Sequence, residues 1–128
     1  MITSMEVESV RLYLAGPMRG REEFNFPAFK RAANELRAVG YCVLCPAEVD
    51  EFFGFDPRGM KGTDAELADA EFDLCKAMAA DLVYICEFAD AVALLEDLES
   101  SLDSAGTSAE IAVALALGKP IKYYWEFL

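Results

Sequence analysis

Short apolar runs alternate with longer stretches of helical spacing along this chain. Residues 10–15 (VRLYLA) are apolar and stopped by Gly16-Pro17, which predicts a buried first strand. Asn25-Phe26-Pro27 opens a helix, with proline in its first turn. Phe29, Ala32, Ala33, Leu36 and Val39 then recur at helical spacing until Gly40. Residues 41–45 (YCVLC) predict a second strand, ended by Pro46. Residues 47–62 predict a long loop with three phenylalanines. Thr63-Asp64-Ala65-Glu66 has the form of a capping box and starts one long helix, with Leu67, Leu74, Met78, Leu82, Ile85 and Phe88 among its apolar positions. Residues 90–95 (DAVALL) predict the third strand, followed by an acidic, serine-rich flexible loop over 96–103. A helix over 104–117, apolar almost all round and therefore expected to be buried, ends at Gly118-Lys119-Pro120. Residues 120–124 predict the last strand, and 125–128 an apolar tail suited to a subunit contact. Strands alternating with helices imply a parallel sheet flanked by helices on both faces, an α/β domain of Rossmann or flavodoxin-like kind over residues 1–128.

Composition narrows the partners. The 128 residues suffice for one domain, and 55% hydrophobic content argues against disorder. The net charge of −12 makes duplex nucleic acid a poor partner, although a local basic pocket can still hold a small anion. No apolar stretch approaches a membrane span, and the N-terminus MITSMEVESV lacks a basic region followed by an apolar one, so a cytoplasmic location is expected. Cys42 and Cys45 lie three apart in a strand, pointing to opposite faces, and the chain has no histidine. All four cysteines read as reduced, packed thiols, and no metal cluster is evident.

The candidate chemistry gathers at the carboxyl ends of the strands, where ligands sit in such sheets. Glu110 is a lone carboxylate in the first turn of an apolar helix. It has either a task or a place in a Thr107-x-x-Glu110 capping box. The loop Gly16-Pro17-Met18-Arg19-Gly20-Arg21 can present amides and Arg19 to an anion, or serve as a plain connection. Asp81 stands among Met78, Leu82 and Ile85, whereas most other acids of its helix read as solvated. The loop over 47–62 is either a lid that stacks on a flat ring or a packing and subunit element.

Tyr13-Leu14-Ala15-Gly16-Pro17, Asn25-Phe26-Pro27, Pro46-Ala47-Glu48, Asp81-Leu82, Ala89-Asp90-Ala91, Ser104-x-Gly106-x-x-x-Glu110 and Leu117-Gly118-Lys119-Pro120 occur in order. Together they resemble the nucleoside 2-deoxyribosyltransferase superfamily, which includes the 2′-deoxynucleoside 5′-monophosphate N-glycosidases. The likeness runs from Leu12 to Ile121. It implies that Glu110 is a nucleophile toward C1′ of a deoxyribosyl group. It implies that Tyr13 positions that carboxylate and that Asp81 contacts the sugar and assists proton transfer. Arg19 and Ser104 would hold a 5′-phosphate, with Gly16, Met18, Gly20 and Gly106 completing the substrate site. The resemblance also implies a small nucleotide or nucleoside as ligand, no cofactor, and a homodimer or larger assembly. Pro17, without an amide to donate, stands where the monophosphate glycosidases usually have serine; transferases commonly show Gly-Pro.

Overall fold

In chain order the elements are β1 (Arg11–Ala15), α1 (Phe26–Val39), β2 (Cys42–Leu44), α2 (Pro46–Phe52), α3 (Asp64–Asp69) and α4 (Leu74–Glu87). They continue with β3 (Ala91–Leu94), α5 (Leu98–Asp103), α6 (Ala105–Ala116) and β4 (Ile121–Tyr123). The computed structural model describes residues 9–128. Residues 1–8, which hold most of the N-terminal stretch inspected for a signal peptide, lie outside the described residues. The four strands form one sheet in the order β2-β1-β3-β4, every pair parallel. This is the expected α/β, Rossmann or flavodoxin-like arrangement. Its order reverses between β1 and β3, where such sheets open a crevice at the strands' carboxyl ends.

The pleat of β1 divides the core. Leu12 and Leu14 face Phe29, Ala33 and Leu36 of α1. Tyr13 and Ala15 face the other layer, with Ile85 of α4 and Ile111 and Ala114 of α6. Leu12, Leu14, Phe29 and Leu36 are fully buried, each worth roughly 1.5–3 kcal/mol of transfer free energy. The same alternation that packs Leu12 away from α6 therefore turns Tyr13 toward it. Lys119 fastens that second layer. Its ammonium donates to the carbonyls of Ile85 (2.6 Å), Cys86 (3.0 Å) and Ala89 (2.8 Å), closing the C-terminal end of α4.

Several expectations change. The 47–62 stretch is not all loop, because Pro46 sits in the first turn of α2 with Glu48 beside it. The helix expected from Thr63 onward breaks into α3 and α4. Glu71 takes a left-handed φ of 54° at the break, and Asp73 caps α4 by accepting from the Lys76 amide. The 96–103 stretch is helical too, with Asp97 capping α5. Helix α6 is not buried all round, since Leu115 is 67% exposed. The C-terminal stretch is a 3-10 turn, Tyr124–Phe127, whose Phe127 packs edge-on against Tyr41 while Trp125 stays exposed. Of the cysteines only Cys45 is buried; Cys42, Cys75 and Cys86 are exposed, and none is in a disulfide. Among the described residues no helix is long and apolar enough to cross a membrane.

Candidate active site

A cleft of about 90 Å³ lies at the carboxyl ends of β1 and β3. Gly16, directly after β1, forms part of its wall. A Cβ there would stand 2.7 Å from Cβ of Leu95, so the closeness of the two central strands requires glycine. Glu110 projects from α6 into the cleft yet is only 6% exposed. The Tyr13 hydroxyl, buried beneath, donates a hydrogen bond to Glu110 Oε2. Asp81 on α4 lines the same cleft. Burial raises the Glu110 carboxyl to about 8; the Tyr13 bond opposes the rise and the Asp81 charge adds to it. Burial likewise raises Asp81 to about 7, helped by the Asp50 charge and opposed by the Tyr13 hydroxyl. Tyr13 is pushed well above its usual value by burial, then by the Glu110 and Asp81 charges. Such a group holds protons near neutrality, and its members titrate together.

The capping-box alternative for Glu110 does not hold. Helix α6 begins at Ala105, and its cap is Ser104, whose Oγ accepts from the Thr107 amide at 3.3 Å. Thr107 donates its own hydroxyl to the same oxygen at 3.0 Å. The apolar layer around Ile111 and Ala114 holds Glu110 on the inward face, out of reach of the helix start. The Ser104 hydroxyl proton remains available toward the cleft, which Ser104 and Gly106 line.

Met18 and Arg19 line the opposite wall. Arg19 meets Asp64 at 3.6 Å in an exposed pair, an attachment of little strength. Gly20 is not part of the cleft lining. Its amide is spent on the Gly62 carbonyl at 2.7 Å, so it shapes the loop instead. Gly62 in turn has φ +92°, and a Cβ there would fall 2.2 Å from the Arg21 carbonyl oxygen. Glu96 secures the loop from the β3 side. It accepts from Arg21 Nη2 at 2.8 Å and from Asn25 Nδ2 at 3.0 Å, and Asn25 also donates to the Pro17 carbonyl at 2.9 Å. Glu23, Phe24 and Asn25 all adopt left-handed φ values of 52–64°, a costly turn that this network holds in place.

The fold also brings here Asp50 and Glu96, which had no place in the sequence reading, and Phe55, from the stretch read as either a lid or a packing element. Asp50 of α2 lines the cleft, and burial alone raises its carboxyl to about 7. The local clue was Pro46 at a helix start, which would have set Asp50 one turn further along one face. Glu96 had no local clue, because its partners lie more than 70 residues away. Phe55 packs edge-on to Phe24 and Phe26 and tilted against Phe72, so this part of the 47–62 stretch is cleft wall. Phe52 and Phe53, by contrast, are 83% and 78% exposed. Beyond Asp50 and Asp81 the cleft adjoins a wider cavity of about 520 Å³.

A buried carboxylate held by a buried tyrosine, with a second carboxyl beside it and a loop opposite, is suited to attack or proton transfer on a small ligand. Neither a curated protein nor a solved structure matches the chain. A family match spans residues 10–123, from just before β1 to the end of β4, and so covers every residue of the cleft. The chain belongs to the family described as Domain of unknown function (DUF4406).

Proposed function

We propose that the protein is an N-glycosidase that hydrolyses the base–sugar bond of a 2′-deoxynucleoside 5′-monophosphate, with Glu110 as nucleophile. The observation that carries this reading is the Tyr13–Glu110 hydrogen bond at the floor of a cleft that Asp81 also lines. The resemblance to the deoxyribosyltransferase superfamily supports the same roles. A glutamate Oε attacks C1′ of the deoxyribosyl group as the bond to the base breaks, leaving a glycosyl ester. Asp81, whose carboxyl burial raises to about 7 so that it still carries a proton in part of the molecules at neutral pH, gives the departing base its proton. It then takes a proton from the water that attacks the ester, restoring both carboxyl groups. Tyr13 steadies the ionised form of Glu110, the form that attacks.

The phosphate belongs on the side of Arg19, the Ser104 hydroxyl and the first amides of α6. A helix of 12 residues with free N-terminal amides offsets part of the surrounding negative charge. Incubation with deoxynucleosides and their 5′-monophosphates, followed by chromatography for free base, tests the proposal. Release from monophosphates alone, lost in Glu110→Ala, is expected. Release undiminished in Glu110→Ala would end the mechanism.

Gly16-Pro17 favours a second reading, transfer of the deoxyribosyl group to another base. The same ester would then be resolved by a free base, so product would form only when a second base is added. The exposed apolar side chains Phe52, Phe53, Leu115 and Trp125 favour a homodimer or larger assembly. Light scattering that gave an active monomer would exclude it.

A further inference from the structure

We infer that Asp50 is a specificity-determining residue, selecting nucleobases that present an amino N–H edge over those that present two carbonyls. The inference rests on the glycosidase reading in one respect. If Asp81 protonates the leaving base, that base lies on the Asp81 side of the sugar. The space on that side is the cavity of about 520 Å³, which shares Asp50, Phe55, Phe72, Ala77 and Asp81 with the cleft. Its walls suit a flat ring. Phe55 and Phe72, 5.0 Å apart between centroids, stand at the junction, and Tyr84 lies further along.

The polar groups around that space are almost all acceptors. Asp56 is occupied by Arg58, Asp73 caps α4, and Glu71 is exposed at the rim. Asp81 is assigned to the leaving-group proton. Among the described side chains that line it, only Lys76 and the Tyr84 hydroxyl offer donors. Asp50 is different from the other carboxyl groups. It is half-buried at the junction of cleft and cavity, and burial raises its affinity for a proton. Its carboxyl has no hydrogen-bond or ion-pair partner among the described residues. A half-buried carboxyl that no protein group engages is open to a ligand that brings an N–H. The exocyclic amine of adenine or cytosine, or the N1–H and amine of guanine, supplies such a donor. Above about pH 7, where Asp50 is ionised and only accepts, thymine and uracil, which flank their single N–H with two carbonyl oxygens, would turn an oxygen to the carboxylate.

Binding can be measured without turnover. Isothermal calorimetry on Glu110→Gln with dAMP, dGMP, dCMP, dTMP and dUMP reads the base preference directly. At least one amino-bearing nucleotide is expected to bind about tenfold or more tighter than dTMP and dUMP. Adding Asp50→Asn is expected to shrink that gap to about threefold or less, with the same narrowing in kcat/KM ratios when Glu110 is intact. Asp50→Ser serves as a second variant should Asp50→Asn fold poorly. A preference that survives both substitutions, or no preference at all, overturns the assignment. Equal loss of binding for every nucleotide also overturns it, because Asp50 would then be a general support of the site. Binding with the expected preference but no base release by the wild type would sink the glycosidase reading and leave the Asp50 assignment standing.

Discussion

Two stretches of the chain share one local pattern and lead opposite lives. Thr63-x-x-Glu66 and Thr107-x-x-Glu110 are both threonine followed by glutamate three residues on. At the first, Glu66 is exposed and takes the amides of Lys61, Gly62 and Thr63 at 2.9–3.0 Å, while Thr63 Oγ1 accepts from the Glu66 amide. Those amides hold the Glu66 carboxyl below its usual value. At the second, Ser104 has taken over the cap, Glu110 is buried, and burial drives its carboxyl up to about 8. A carboxylate surrounded by amide donors is settled; one stripped of water and given a single tyrosine is not. The contrast locates the reactive group more sharply than either motif alone.

Exchanging each glutamate for glutamine should split the two sites most widely. Glu110→Gln is predicted to lower base release by about 1000-fold or more. Glu66→Gln should leave it near wild type at a temperature where the protein stays folded. Chromatographic rates for the two variants side by side check this, and comparable losses would dissolve the contrast.

The pH dependence of stability should carry opposite signs at the two sites. Glu110 has a raised affinity for its proton in the folded protein, so it contributes stability below its ordinary value of 4.5 that is lost as pH rises toward about 8. Glu110→Gln, which cannot ionise, is therefore predicted to melt higher than wild type near pH 9, by a difference on the order of a few kcal/mol. At pH 4–5 the two should nearly coincide. Glu66 is lowered instead, so its contribution is present above 4.5 and is lost as pH falls through its folded value. Glu66→Gln should melt below wild type at pH 7 and approach it under acid conditions. Thermal melts across pH 4–9 read both curves.

Tyr13→Phe tests what holds the reactive carboxylate. The Tyr13 bond lowers the Glu110 value, so its removal should raise it. Because Glu110 must be ionised while Asp81, the lower of the two, stays protonated, the falling limb of kcat/KM against pH should move to higher pH as the maximum drops. A rate loss of about 10- to 100-fold at pH 7 should accompany that shift. A loss with no movement of the limb would mean that Tyr13 acts by packing alone. The wild-type profile itself should be bell-shaped with its maximum between about 7 and 8, the values of Asp81 and Glu110, which belong to the coupled group.

The smallest effect separates the caps. Thr63→Ala and Ser104→Ala should each cost about 1 kcal/mol in stability. Only Ser104→Ala should also raise KM for a monophosphate while leaving the corresponding nucleoside unaffected.

The strand pattern and β1's alternation were readable along the chain, because Leu12, Tyr13, Leu14 and Ala15 need no distant information to choose faces. Glu110, Asp81 and the Gly16–Arg21 loop were visible as chemistry out of place. Helices α2 and α5 were hidden by charge and aromatic content. Pro46 at the start of α2 and the Asp97 cap of α5 are short-range features, but the two helices pack on α1 and α6. The break before α4 rests on a left-handed Glu71 that no local rule demands. Asp50 and Glu96 were not legible as site residues, since burial and partners more than 70 residues away define them.

Acid quenching during turnover with a deoxynucleoside 5′-monophosphate, followed by mass spectrometry of the protein and its peptides, reaches the reactive bond itself. A deoxyribosyl phosphate ester on the peptide containing Glu110 is predicted, retained in Glu66→Gln and absent in Glu110→Gln. An ester on another carboxylate, or base release with no ester on Glu110, would contradict the assignment of Glu110 as the nucleophile.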